Sequence, residues 1–443
     1  MTALTAASPH RADANPADVF GLGSVASGRA GAVVATSDDF ASGYYNPAGL
    51  AWAVGKQLTF GAMSAVSNLE IQDRRAGISE PSMMVVGLTL PAPLGGPLTD
   101  RLHLGLALCL PPHSAAHVIA RLPDEPFFPL YDNRTQRVLV LPGAAVKISD
   151  RLAVGAAINF AATLDGAVLA SEGATRALEA RIDEEVPAVA RVNAGVGWRP
   201  WRGLAVGAAF RQEFSIPFAT VAHTTVAGEP IDVDIAADGL YTPTTITAGA
   251  GWRESWWEAA GEVGWAHWSA YPGPYVRVAS ALPLVGPLAG QLPDVPFRDS
   301  LALRAGGEVR FGAPTELGWV LRGGWALETS PVPARQPGVT NLMDGTKNLV
   351  AAGFGLRWPR AIGGKPLRLD LHLAAQLVAG RTLRKQIYDG SDTYDPYTSL
   401  RDEVEDDAGD PGSLGVQVSN PGFPSIRSGG QVFSGGLTVG VDL

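Results

Sequence analysis

Along most of the chain, apolar residues alternate with small or polar ones at a period of two. From Leu152 the positions Leu152, Val154, Ala156, Ile158, Phe160 and Leu164 fall on one face, and Ala153, Gly155, Ala157, Asn159, Thr163 and Asp165 on the other. Leu102, Leu104, Leu106, Leu108 and Leu110 alternate in the same way against His103, Gly105, Ala107 and Cys109. The run from Leu204 to Phe214 sets Val206, Ala208 and Phe210 against Gly207, Ala209, Arg211 and Glu213. Leu301, Leu303, Val309 and Phe311 oppose Arg304, Glu308 and Arg310, and Leu367 to Leu377 oppose Arg368, Asp370, His372 and Gln376. A period of two is the signature of a strand with two unlike faces. A soluble sheet with one wet face shows it too. Here the apolar face stays greasy to the strand ends, while the other mixes glycine with ionisable groups, as the lumen of a membrane barrel does.

About fourteen such segments are present, each of roughly the length that a tilted strand needs to cross the hydrocarbon layer. They begin near Lys56, Pro81, Leu102, Thr135, Leu152, Pro187, Gly203, Thr242, Trp256, Asp299, Glu316, Lys347, Pro366 and Ser428. Connections after the even segments are short: Pro91–Arg101, Ser149–Arg151, Pro200–Arg202, Arg253–Ser255, Gly312–Thr315 and Pro359–Lys365. Those after the odd segments run from about fourteen to about forty-five residues, the alternation of periplasmic turns and extracellular loops. The expected fold is all-β: a transmembrane antiparallel barrel of about fourteen strands. Tryptophans cluster near the strand ends, among them Trp198, Trp201, Trp252, Trp256, Trp268, Trp319 and Trp358, where an interfacial girdle places indoles.

The stretch from Asp18 to Trp52 breaks this rhythm. It is dense in Gly, Ala and Ser and has too few large apolar residues for a core of its own. It ends in Tyr44-Tyr45-Asn46-Pro47-Ala48, where Pro47 fixes its own φ and pushes Asn46 toward an extended conformation. Such a segment is ordered only if something encloses it, so residues 18–52 are expected to form a hatch inside the lumen. Residues 1–17, with neither the basic end nor the apolar core of a secretory signal, are expected to be a disordered tail, and residues 53–443 the barrel.

GRAGAVVATSDDFASGYYNPAGLA (from Gly28) resembles the N-terminal hatch of the FadL/TodX family of outer-membrane channels for long-chain fatty acids and aromatic hydrocarbons. Two later stretches resemble the same family, Trp265-Ala-His-Trp268-Ser269 at a strand end and Arg322-Gly-Gly-Trp325 leading to Pro331-Val-Pro333. The resemblance implies passive uptake of a hydrophobic molecule: capture at the outer loops, passage to a lumen pocket, rearrangement of the hatch (Phe40, Tyr44, Tyr45, Asn46, Pro47, Ala48) and exit through a gap in the wall. It also implies a bacterial outer-membrane location, contact with membrane lipid and lipopolysaccharide, and a monomer. Glycine in a strand often marks a bulge or bend, and Gly105 is the candidate for the gap.

Composition narrows the alternatives. Net charge is −9, against the basic face that nucleic acid requires. Cys109 is the one cysteine, which excludes a disulfide framework or a cysteine metal site within one chain. Gly21-Leu-Gly23-Ser-Val-Ala26 matches a dinucleotide fingerprint but lacks the preceding apolar strand. His113 and His117 have the spacing of two metal ligands but follow Pro111-Pro112 and lack a third. Asp389 to Asp407 is rich in carboxylates that calcium would accept, yet reads first as a solvated outer loop. No nucleophile–base set stands out, so no enzyme, cofactor or metal is expected. Arg211, Glu213, Glu258, Glu262, Arg304, Glu308 and Arg322 are expected to be lumen charges, and pairs such as Glu258 with Glu262 or Arg304 with Glu308 to contact the hatch rather than to act as catalysts. Phe127, Phe128, Leu130 and Tyr131 are too apolar for a loop in water; they either pack on the barrel mouth or collect a greasy ligand. Two rival readings remain: a general diffusion porin, which would carry no hatch, and a barrel-embedded hydrolase or soluble all-β binding protein.

Overall fold

The computed structural model describes residues 17–78, 80–96, 99–111, 125–132, 138–162, 165–172, 178–185, 188–226, 229–275, 277–282, 286–289, 295–313, 315–334, 336, 340–384, 386–387, 399–400 and 425–443. The tail before residue 17, the pair His113 and His117, and the acidic stretch around 402–407 lie outside these residues.

Fourteen antiparallel strands close into a barrel: β1 (Gln57–Ile71), β2 (Ser82–Pro91), β3 (Leu102–Leu110), β4 (Leu139–Ser149), β5 (Leu152–Ala162), β6 (Ala188–Trp198), β7 (Leu204–Arg211), β8 (Thr245–Arg253), β9 (Trp257–Ala266), β10 (Ser300–Phe311), β11 (Gly318–Glu328), β12 (Lys347–Ile362), β13 (Lys365–Arg384) and β14 (Ser425–Asp442). Each pairs with its neighbours in sequence. β1 closes the ring against β14, from Gln57 opposite Asp442 to Ile71 opposite Ser428. Closure removes the unpaired edge that a sheet could not expose to lipid. No helix among the described residues is long and apolar enough to cross a membrane.

The two strand faces have the expected separation. Leu301, Leu303, Leu371, Leu373 and Leu377 are exposed on the outer wall, while Asp370, His372 and Gln376 are buried in the lumen. Trp198, Trp201, Trp252, Trp256, Trp319 and Trp358 stand exposed around the rim that carries the short turns, as an interfacial girdle requires. Trp268 corrects that pattern. It is 2 % exposed and packs inward at the opposite rim, within 6 Å of the Tyr241 and Tyr271 rings.

The long connections hold strands that the alternation does not reveal. Asp165–Glu172, Leu178–Glu185, Phe214–Val226, Glu229–Thr242, Arg277–Leu282 and Gly286–Ala289 form a second sheet, drawn from the connections after β5, β7 and β9.

Candidate functional site

Residues 17–53 occupy the lumen. They form short turns of helix, Ser24–Ser27, Ser42–Tyr45 and the 3-10 turn Pro47–Trp52, joined by irregular chain. A backbone so irregular is tolerated at membrane depth only where protein encloses it. The enclosing surface is largely glycine. A Cβ at Gly105 of β3 would lie 2.5 Å from Leu50, and one at Gly251 of β8 would lie 2.5 Å from Thr36. Gly87, Gly155, Gly195, Gly207, Gly306 and Gly324 similarly face Phe40, Pro47, Asn46, Val34, Arg29 and Arg29. Most wall strands thus offer a bare patch of backbone where the plug touches them. The alternation places glycine on the lumen face but does not by itself show this one-per-strand arrangement, whose signal is a glycine near the middle of nearly every strand.

Gly105 is therefore no opening. It pairs with Thr89 of β2 on one side and Gly143 of β4 on the other, and its missing side chain is the seat for Leu50. The ladder of the wall thins one strand further on, with no change of register. The β4–β5 ladder pairs Val140 with Phe160 and resumes at Gly143 with Ala157, so Leu141 and Pro142 have no rung to β5. Pro142 has no N–H to give one. Across the break, the Asn159 side-chain oxygen is buried without a hydrogen bond among the described residues.

The lumen has two unlike sides. Along β2 to β5 it is apolar: Met83, Val85, Ala107, Cys109, Leu139, Leu141 and Ala157 pack with Phe40, Ala41 and Tyr44 of the plug. Along β8 to β13 it is ionic. Glu258 receives the plug's Arg29 at 2.7 Å and is shared by Arg253 and Arg310. Arg253 reaches Asp38 of the plug at 2.7 Å and donates to the Thr36 carbonyl at 2.9 Å. Arg322, 1 % exposed, bridges Glu308 and Asp370 at 2.8 and 2.7 Å, and Arg357 adds a second contact to Asp370. Glu262 is the direct clamp: one oxygen accepts the Val33 and Val34 N–H groups at 3.0 and 2.9 Å, and the other meets Arg304 at 3.1 Å. Burial of so many charges is tolerable because each finds partners of opposite sign.

Of the seven charges expected on the inner face, Glu258 and Glu262 bond the plug directly, while Arg304, Glu308 and Arg322 pair with other wall residues. Arg211 lies over the Tyr44 ring, 4.4 Å from its centroid. Glu213 is the exception: β7 ends at Arg211, and Glu213 is exposed beyond it. The plug's own Arg29 and Asp38 were not singled out from sequence, although they are among the few ionisable groups in an otherwise small-residue run.

Asn46 is a latch. Its side-chain N–H group donates to the Val34 carbonyl within the plug (2.7 Å) and to Val196 of β6 (3.0 Å), while its oxygen accepts from Ala48 (3.1 Å) and starts the 3-10 turn. Tyr45 takes the Leu22 N–H on its hydroxyl at 2.9 Å, and burial pushes its phenol up to about 12. Burial also raises the Asp39 carboxyl to about 6, the neighbouring Asp38 adding to the shift.

At the long-loop rim, Phe127, Phe128, Leu130 and Tyr131 are fully buried in an aromatic cluster with Tyr271, Tyr275, Phe297 and Leu342. They are packed rather than displayed, so they form no open capture surface in this arrangement. The segment is held by the strand-like pair Phe127–Leu342 and by Tyr131 donating to Gln376 at 2.7 Å. Val19 and Phe20, at the start of the plug, pack against the same cluster. The motif residues have physical roles here: Asp299 accepts from Ser269 and Trp265, and the Val332 and Pro333 carbonyls accept from Arg381.

Similar architectures are known. A FadL homologue from Pseudomonas aeruginosa superposes with a TM-score of 0.54 at 13% identity, covering 94% of this chain and 96% of that one. The P. putida toluene transporter TodX gives 0.56 at 13% identity, covering 96% and 99%. The Ralstonia pickettii toluene transporter TbuX gives 0.52 at 15% identity, covering 95% and 98%. The fold is theirs. No family model and no curated protein matches the sequence.

Proposed function

We propose that the protein is a bacterial outer-membrane channel for hydrophobic small molecules. The observation that carries this reading is the plug seated on wall glycines below an aromatic mouth. A general diffusion porin needs an open, charged constriction; here the lumen is filled and keeps cavities of about 120 and 310 Å³ beside the plug. A soluble binding protein would not display the Leu-rich outer wall. Polar solutes gain nothing from the mouth cluster, whereas an apolar solute entering it trades water for aromatic surface.

Residues 18–52 act as the hatch in this proposal. The molecule enters through the Phe127–Tyr131 cluster as that segment lifts, passes down the apolar side of the lumen, and leaves where the β4–β5 ladder lacks rungs at Leu141 and Pro142. The short turns face the periplasm, and the outer wall and long loops meet membrane lipid and lipopolysaccharide. Two structural neighbours are toluene transporters, so monoaromatic hydrocarbons are the first cargo to test, with long-chain fatty acids as the competing class. Uptake of labelled toluene and oleate by cells carrying the protein, with a sugar as control, tests the reading. Transport of either apolar compound without the sugar supports it; sugar permeation at the rate of an open porin overturns it.

A further inference from the structure

At the short-turn rim, a pocket of about 330 Å³ opens between the β4–β5 turn, the β6–β7 turn and the underside of the plug. Three arginines face it, Arg151, Arg199 and Arg202, beside Thr36 of the plug and Trp201. A fourth, Arg253, already has Asp38, Glu258 and the Thr36 carbonyl as acceptors. The carboxylates within reach are therefore committed to Arg253. Among the described residues none forms an ion pair with Arg151, Arg199 or Arg202. Asp150 and Glu254 sit exposed on their own turns, and Glu254 accepts from Trp252.

Arg199 is the informative member. Its guanidinium is held 4.1 Å from the centroid of the plug's Trp52 ring, and its backbone N–H donates to the Arg151 carbonyl at 2.7 Å, which ties the two turns together. Burial lowers its pKa to about 10; Asp38 and Glu258 oppose the shift in part, and Arg253 adds to it. A guanidinium held against an aromatic ring keeps its N–H donors for a planar or tetrahedral oxyanion.

We propose that this pocket is a phosphate-binding site, contacted by Arg151, Arg199 and Arg202, that takes the headgroup of an anionic phospholipid or free phosphate. The forked donors of arginine match phosphate oxygens better than a point charge does. Basic pockets at a membrane rim take phospholipid headgroups, and Trp201, 68 % exposed beside the pocket, marks the depth at which such headgroups lie. Because Thr36, which lines the pocket, belongs to the plug, an occupant touches wall and plug together. The site does not depend on the cargo: uptake assays and phosphate assays can fail separately.

The test uses the full chain in detergent and in vesicles of phosphatidylethanolamine with and without phosphatidylglycerol. Native mass spectrometry reads lipid retention, and calorimetric titration reads inorganic phosphate. The expected result is retention of phosphatidylglycerol over phosphatidylethanolamine, weakened about tenfold or more in Arg151→Gln/Arg202→Gln, which removes two exposed charge-assisted donors. Phosphate binding that is lost in the variant, without lipid enrichment, identifies free phosphate as the occupant and equally supports the site. Should neither lipid retention nor phosphate binding respond to the arginines, the proposal fails. Heat-modifiability confirms that the double variant folds; if it does not fold, Arg202→Gln alone decides between these outcomes, since that exposed side chain carries no packing.

Discussion

Replacing Asn46 with alanine tests whether the plug is latched or merely packed. The substitution removes the two bonds donated to Val34 and Val196 and the one accepted from Ala48. At about 1 kcal/mol net for each, the loss is about 3 kcal/mol. The Val34 carbonyl is then left buried against the wall at Gly207, with no room for a large rearrangement in place. If docking and release of the plug are in equilibrium, about 3 kcal/mol shifts their ratio about a hundredfold. Hydrogen exchange followed by mass spectrometry reads this directly. Amides in residues 33–37 and 46–50 should exchange about a hundredfold faster in Asn46→Ala, by that same conversion. The barrel amides and the heat-modifiable transition should stay where they are, because the ladder closes through β1 and β14 without the plug. Asn46→Asp keeps the acceptor for Ala48 but sets a buried carboxylate oxygen against the Val34 and Val196 carbonyls, and should loosen the plug at least as much as alanine. Unchanged exchange in Asn46→Ala, with the barrel folded, would refute the latch and leave close packing alone to hold the plug.

Glu262→Ala frees the Val33 and Val34 N–H groups and unpairs Arg304, and should raise ion leak in planar bilayers while Arg304→Lys largely preserves the seal. Gly105→Val puts a side chain into the seat of Leu50 and should displace the plug, read as new permeability to small hydrophilic dyes, whereas Gly323→Ala, whose Cβ meets nothing within 4 Å, should not. The raised Asp39 carboxyl sets a pH dependence: its folded value of about 6 lies above the ordinary carboxyl range, so the charged form is the disfavoured one in the docked plug. Docking should be tightest in acid and weaken as pH rises toward and through 6, and Asp39→Asn should abolish the change in leak conductance between pH 5 and about 7.5. Pro142→Val offers β5 the missing donor; it should slow release of an apolar cargo without altering its binding, and an unchanged release rate would place the exit elsewhere.

The barrel was legible because lipid and lumen impose opposite chemistry on successive residues over whole strands. Starts read from alternation agree with the observed strands to within four residues, the largest offset being Thr135 against Leu139. That constraint lapses beyond the membrane. Glu213 keeps the lumen parity of β7, but the strand stops two residues earlier, so parity places it where no wall exists. Trp268 sits near a strand end as girdle residues do, yet turns into the mouth cluster, because the partners that bury it come from distant loops. The second sheet was invisible for the same reason: its pairings are set by contacts among loops, not by a bilayer. Gly105 was readable as an unusual residue but not as the seat of Leu50, since one sequence does not show which segment approaches which strand.

The two sides of the lumen would let the proposed hatch be fixed on one side and free to move on the other. Buried ion pairs are costly to break once a partner is withdrawn, at about 3–5 kcal/mol. Arg29 and Asp38 therefore bind the plug firmly to β8 and β9, and Glu262 adds backbone bonds on the same side. Against β3 to β5 the contacts are mainly apolar, with Leu50 and Pro47 resting on glycine and one hydrogen bond between the His103 ring and the Leu50 carbonyl at 3.0 Å. An apolar molecule can replace those contacts with similar ones of its own, whereas it offers nothing to the arginines and carboxylates opposite. Movement of the plug is thus expected to begin on its apolar side. That side faces Leu141 and the missing rungs at Pro142, so the side on which the plug is least tied lies beside a thinned stretch of wall. Tethering the plug to β5 through Ala48→Cys and Ala153→Cys, two members of one buried cluster, should block cargo release under oxidation and restore it on reduction. The equivalent tether on the ionic side, Ala30→Cys with Ala326→Cys, should leave release intact. Equal loss with both tethers would mean that the plug moves as one rigid piece, and the two-sided account would be wrong.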